Sequence, residues 1–383
     1  MQHLYLLLLL LIPSILLGQT PIGVQEKEEI RQFILQIQGG AENAILPSSN
    51  DQVVFNGNYP VDNDKLLHKI DLGKVLFYDG ETNCGLCHNP DFSGFPHINP
   101  AIGFGGIGNG PERVKDSLAT EFDIQPVATK SQLNSGYNKI VLHDGSMGYG
   151  GRNADLPDSI LAKHEVNFLQ GDGTNTQSIV GVKVHRTFDI DACRNNPLIN
   201  KSCEEVYGVP IIDEFIVGDA IATWEKSTDN IPYNAPYQRF LKGDLNAMTN
   251  LQIKGATIFF GKAQCNSCHY GPALTSDTFA QKTTKKPYEG VPGRSGFTKN
   301  PEDLWEVRTL QLYNLKDAKF LFWEGEYTTF SGGIKAHQKT LNLPNLTGSE
   351  HKALVDFVKN GLYDESIKDR MRFAGDHILE KYF

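Results

Sequence analysis

Two stretches of this chain set reactive side chains at a fixed spacing: N-C-G-L-C-H-N-P at 83–90 and Q-C-N-S-C-H-Y-G at 264–271. Each has two cysteines three apart and a histidine directly behind the second. A zinc site would take the four sulfurs, but the two units lie far apart in the chain and both histidines would go unused. A thiol redox motif is usually a single C-x-x-C opening a helix after a strand, which again leaves the histidines unexplained. Haem uses every residue. The two thiols add to its two vinyl groups, a helical turn matches their separation, and the histidine falls beneath the iron as an axial ligand. Two c-type haems are therefore expected. Cys84, Cys87 and His88 would hold the first, and Cys265, Cys268 and His269 the second.

The remaining cysteines, Cys193 and Cys203, stand in D-A-C-R-N-N-P-L-I-N-K-S-C. In an exported chain such a pair most simply forms a local disulfide; the alternative is two unpaired thiols. Export is expected from the first residues. From Leu4 to Leu17 the apolar run is broken only by Pro13 and Ser14, with Gly18 near a plausible cleavage point. That is short for a membrane span, which needs about 18 or more apolar residues, and right for a signal-peptide core. The basic n-region is weak, only the terminal amine and His3, but a cleaved signal over 1–18 is preferred to an anchor. No later segment approaches a spanning length, so the mature form is not expected to span a membrane. Covalent haem attachment normally occurs outside the cytoplasm, and a periplasmic location follows.

The chain has 383 residues, 40% hydrophobic and 21% charged, with a net charge of −9. That is an ordinary globular balance with room for two domains. It carries no basic stretch to neutralise phosphates, so nucleic acid is not an expected partner.

Helical periodicity appears at 24–38 through Ile30, Phe33, Ile34 and Ile37, and at 64–78 through Leu67, Ile70, Val75 and Leu76. The second of these leads into the first haem motif. Gly, Pro, Asn and Asp make 89–157 mostly loop. Helices return around 158–169, 213–228 and 248–262, the last leading into the second motif. Residues 272–348 are again loop-rich, and T-G-S-E at 347–350 reads as a capping box before a final amphipathic helix. The expected fold is mainly α: two cytochrome c-like haem domains with long loops and little β structure. After the signal peptide these are an N-terminal domain over 19–240 and a C-terminal domain over 241–383.

Four further stretches carry a resemblance. They are L-G-K-V-L-F-Y-D (72–79), L-N-S-G-Y-N with L-H-D-G (133–145), C-H-Y-G-P-A-L-T (268–275) with Phe279 behind it, and L-Y-N-L-K-D-A-K-F-L-F-W-E-G (312–325) with a helix after it. In this order and spacing the chain resembles the bacterial di-haem cytochrome c peroxidases, which include the MauG-type enzymes, over about residues 65–365. The resemblance implies a division of labour. The C-terminal haem takes electrons from a donor such as a small cytochrome c or a copper protein. The N-terminal haem meets hydrogen peroxide and reduces it to water, with a nearby acid–base group moving a proton between its oxygens. It also implies the frequent dimerisation of the family, so a homodimer is expected by analogy.

Carried over residue by residue, the resemblance singles out more positions. Gapless alignment of 312–325 puts His337, rather than His351, His377 or Met371, where the family's distal ligand to the second iron is usually methionine. Bis-histidine ligation lowers a haem potential relative to His/Met. Glu165 in A-K-H-E-V-N-F falls at about the family's acid–base glutamate, with a short insertion; the bland reading is an exposed helical glutamate. Phe104 stands where many members have a histidine capping the first iron. His97 is the one loop histidine left for that role; without it the first iron is open at rest. His143 replaces the family's inter-haem tryptophan, leaving haem-to-haem tunnelling or another aromatic such as Trp224, Trp305 or Trp323. Ala128 replaces an asparagine of the family's calcium site, so a calcium ion would bind through carbonyls and water. Arg186, in V-H-R, would pair with a haem propionate or else belong to a surface basic pair. Three functions follow: a peroxidase, a MauG-like oxidase of a protein or small molecule, which a tyrosine ligand at the second iron would favour, or a non-catalytic electron-transfer cytochrome.

Overall fold

The computed structural model describes residues 21–55, 59–79, 84–96, 106–107, 114–115, 117, 127–164, 166–167, 172–184, 188–209, 212–281, 292–323 and 325–383. Glu165, Arg186, His97, Phe104 and the signal segment 1–18 lie outside them. Among the described residues the fold is mainly helical, and no helix is long and apolar enough to cross a membrane.

In chain order the main helices are α1 (Val24–Ile37), α2 (Asn63–Tyr78), α3 (Gly173–Val184), α4 (Ile190–Asn195), α5 (Pro197–Tyr207), α6 (Glu214–Lys226), α7 (Pro236–Leu241), α8 (Asn250–Phe260), α9 (Phe330–Thr340) and α10 (Gly348–Asp356). Two short antiparallel ribbons complete the list. In one, β1 (Gly106–Ile107) pairs with β2 (Val114–Lys115); in the other, β3 (Phe279–Gln281) pairs with β4 (Glu306–Arg308), setting Phe279 opposite Arg308. Local chemistry fixes several boundaries. Asp213 caps α6 by accepting from the N–H groups of Phe215 and Ile216. Thr249 with Gln252, and Thr347 with Glu350, form reciprocal capping boxes on α8 and α10. Asn196 caps α5, Pro197 opens it, and Gly208 ends it in the left-handed region.

The two haem motifs are built on the same plan. Each follows a helix, α2 or α8, that crosses a later helix at a glycine. A Cβ on Gly73 would sit 1.9 Å from the Ala220 carbonyl oxygen of α6, and one on Gly255 would sit 2.1 Å from the Ala353 carbonyl oxygen of α10. Only glycine permits either crossing. Two cores result. One gathers Leu72, Val75, Phe77, Ile199, Val217 and Trp224 under the first motif. The other gathers Tyr237, Phe240, Phe259, Tyr313 and Phe357 under the second. The ends of the described chain cross over. Ile34, Leu35 and Leu46 join the core of the second motif, while Leu379 joins that of the first.

Two sequence expectations need correction. Cys193 on α4 and Cys203 on α5 are free thiols, not a disulfide; Cys203 is instead fully buried in the first core. The helix expected over 158–169 is one turn, Asp158–Leu161. Asn167 explains the stop: its amide donates to the carbonyls of Leu161 and Ser146 and its Oδ1 accepts from the N–H of Gly148. The chain there folds back onto the 146–148 loop instead of continuing as helix.

Candidate haem sites

The second site is the more fully described. Gln264, in the left-handed region at φ 55°, turns the chain out of α8 and into the 3-10 turn Cys265–Ser267. The N–H of His269 donates to the Cys265 carbonyl at 2.9 Å, so both thiols and the imidazole hang from one turn. The Nδ1 of His269 bonds the Leu274 carbonyl oxygen at 3.2 Å. That bond orients the ring and leaves Nε2 for a metal. Across a largely apolar cavity stands α9, which presents Phe330, Gly333, Ile334, His337, Gln338 and Leu341 to it. These are positions i, i+3, i+4, i+7, i+8 and i+11 of one helix face, and Lys335 and Lys339 lie exposed on the other side.

The rings of His269 and His337 face each other with centroids 6.3 Å apart. Two imidazoles on opposite sides of one metal, each at about 2 Å, have centroids about 6 Å apart. The Nδ1 of His337 is buried without a hydrogen-bond partner. Burial pushes both imidazoles down to about 4, so both are neutral at neutral pH, as metal ligation requires. The other C-terminal candidates stand elsewhere. His351 bonds the Ser331 hydroxyl at 2.9 Å, Met371 is buried with Leu133 and Ile367, and neither these nor His377 lines the cavity.

The first site repeats the turn. The N–H of His88 donates to the Cys84 carbonyl at 2.9 Å, and the Phe77 ring lies 5.8 Å from that of His88. Burial raises Cys84 and Cys265 to about 12 and Cys87 to about 11. These are protonated thiols in apolar settings, not the exposed thiolates of a redox motif. Cys84 packs on one core and Cys265 on the other, so the four sulfurs do not converge on one ion. The residues present fit two c-type haems: paired thiols and a histidine on one turn, twice, and at the second site a facing histidine at ligand spacing.

Sequence reading missed two buried charges near these sites. Glu225 of α6 is 4% exposed, accepts from the Ser178 hydroxyl at 3.4 Å, and is pushed by burial up to about 8. Arg308 of β4 lines the second cavity. Only a charge inside an otherwise strand-like run, E-V-R-T-L, could have flagged it. His143 and Trp323 touch edge to face at 6.1 Å, and Trp323 also lines the second cavity. Ala128 is buried against Phe320 and its N–H donates to the Trp323 carbonyl, so that position offers no side-chain oxygen.

A mainly helical protein with two haem-binding turns defines the class, and the comparisons narrow it. Residues 67–246 match the family model described as di-haem cytochrome c peroxidase. Cytochrome c551 peroxidase of Nitrosomonas europaea is 22% identical over 308 residues, 76% of this chain and 78% of that one. Cytochrome c peroxidase Ccp of Escherichia coli is 25% identical over 91% of this chain and 70% of its own. The methylamine utilization protein MauG of Methylophilus methylotrophus is 26% identical over 57% of each. In fold, a MauG-like protein associated with microbial copper homeostasis superposes at TM-score 0.58, with 15% identity, 85% of this chain and 97% of that one. The dihaem peroxidase BthA of Burkholderia thailandensis superposes at 0.52, with 15% identity, 87% and 93%. Over residues 67–246 the chain thus matches the di-haem cytochrome c peroxidase family, and both peroxidases and MauG proteins are among its relatives.

Proposed function

We propose that this chain is an exported, periplasmic peroxidase. It would reduce hydrogen peroxide to water at the haem of Cys84, Cys87 and His88, using two electrons relayed from a small cytochrome c or copper protein through the haem of Cys265, Cys268 and His269. The haems supply the redox-active iron. The chain supplies ligands, proton transfer and exclusion of water. His269 and His337, neutral and rigidly held, close both faces of the second site, as a centre that only relays electrons requires. Their 6.3 Å spacing across the cavity is the observation that carries this reading.

Glu165 is the proposed acid–base group, taking a proton from one peroxide oxygen and returning it to the other. The support for this choice is its place in A-K-H-E-V-N-F, at about the acid–base glutamate of the family that the chain resembles. Arg186 is the proposed partner of a haem propionate.

The test is steady-state turnover of purified holoprotein with hydrogen peroxide and a reduced small c-type cytochrome. Peroxide-dependent donor oxidation at two equivalents per peroxide, lost in E165Q with haem content intact, is expected. No donor oxidation with both haems loaded would overturn the reading.

A further inference from the structure

The wall of the second cavity formed by β3, β4 and the strand-like run after β4 carries a buried cation that forms no ion pair with any described residue. Arg308 is 7% exposed. Its Nη1 donates to the Asn138 side-chain oxygen at 2.8 Å and to the Thr309 carbonyl at 3.1 Å. Its Nε has no partner. Among the described residues no carboxylate lies within ion-pair distance of it; Asp277 acts on it at longer range, and Glu326 is the one carboxylate among the residues that line the cavity. Lowered by burial to about 10, the guanidinium still holds its charge at neutral pH. Burying a charge without an ion pair costs several kcal/mol, and Asp277, acting only at longer range, offsets part of it, so this wall can take a further anion. Arg308 is the one lysine or arginine among the residues that line the cavity.

Its backbone is fixed on both sides. The N–H donates to the His143 carbonyl at 3.0 Å, and the carbonyl accepts from the Trp323 indole N–H at 2.9 Å. The fork is therefore aimed by the fold. A haem joined by thioethers to Cys265 and Cys268 carries its two carboxylates on the opposite edge of the ring, and a planar guanidinium is the side chain that matches a carboxylate.

We propose that Arg308 is the buried counter-charge of the second haem's carboxylate edge and that it raises the reduction potential of that haem. The inference rests on the reading that this cavity holds a haem. An uncompensated carboxylate beside the iron favours the ferric state. A cation on that carboxylate offsets this, working against the lowering that bis-histidine ligation brings. Arg308 is thus a positioning residue that acts through the propionate.

Arg294 supplies the control. It is 2% exposed, contacts Asp303 at 3.8 Å and Asn153 at 3.2 Å, and does not line the cavity. Holoprotein and the variants R308Q, R308K and R294Q are compared by spectroelectrochemical titration of the second haem and by resonance Raman of the propionate bending modes. Haem content and the low-spin signal are checked first; their absence from the parent protein would count against the haem reading itself. The expected result is a lower potential and shifted propionate modes in R308Q, a smaller fall in R308K, and no change in R294Q. An unchanged potential in R308Q with both haems loaded, or an equal fall in R294Q, overturns the proposal. If R308Q fails to load haem, R308K decides in the same terms.

Discussion

At the residue scale the site is set by burial as much as by ligand identity. His269 and His337 are held neutral and opposed, as the proposed ligation of the second iron needs, and His337 stands where the family resemblance implies a methionine. The substitution H337M restores a thioether, which favours ferrous iron. The second haem should titrate at a higher potential in H337M than in the parent, measured by optical redox titration. Glu225 gives a separate pH signature. Burial raises its folded-state value from 4.5 to about 8, so the folded state prefers the proton. The stability this confers is fully present below about pH 4.5 and is lost as pH rises toward 8. Thermal stability should therefore decline over that window with a slope of at most about 1.4 kcal/mol per pH unit from this one group. In E225Q the decline should be shallower, as calorimetry across pH 5–8 would show; parallel curves would contradict the assignment.

At the scale of elements the helix crossings hold each haem turn in place. G73A and G255A each drive a methyl into a carbonyl oxygen about 2 Å away. Each should cost roughly 1–3 kcal/mol or more by overpacking, measured by chemical denaturation. G73A should loosen the first haem's spectrum and G255A the second's. Much of this layer was legible in the sequence. The two C-x-x-C-H turns, α1, α2, α6 and α8 with their apolar stripes, and the Thr347 capping box all stand where residue pattern put them. Helix α3, G-T-N-T-Q-S-I-V-G-V-K-V, was not legible. It packs beneath α6 with both polar and apolar residues buried, so it shows no single stripe. The Cys193–Cys203 disulfide was a reasonable inference from spacing, but α4 and α5 place the thiols by helix packing. At 158–169 a side-chain amide outcompeted helix propagation, which periodicity does not register.

At the scale of the whole molecule, what sequence could not show was the exchange of chain ends between the two cores, because such contacts are non-local. Leu379, fully buried, packs in the core of the first haem motif almost 300 residues downstream of it, and the Tyr382 hydroxyl donates to Asp71 on α2 at 2.5 Å. L379A should therefore cost about 2–5 kcal/mol and be felt first in the Soret band of the N-terminal haem, as equilibrium denaturation followed at haem wavelengths would show. The central claim concerns the pair of irons that these cores carry: one relay centre closed on both faces and one that meets peroxide. Electron paramagnetic resonance of holoprotein, oxidised and then half-reduced, beside H337A, tests it most directly. The expected spectrum has a low-spin bis-histidine signal that disappears in H337A, together with a first iron that is high-spin at rest or becomes so on half-reduction. Two low-spin signals that persist through half-reduction and survive in H337A would contradict it.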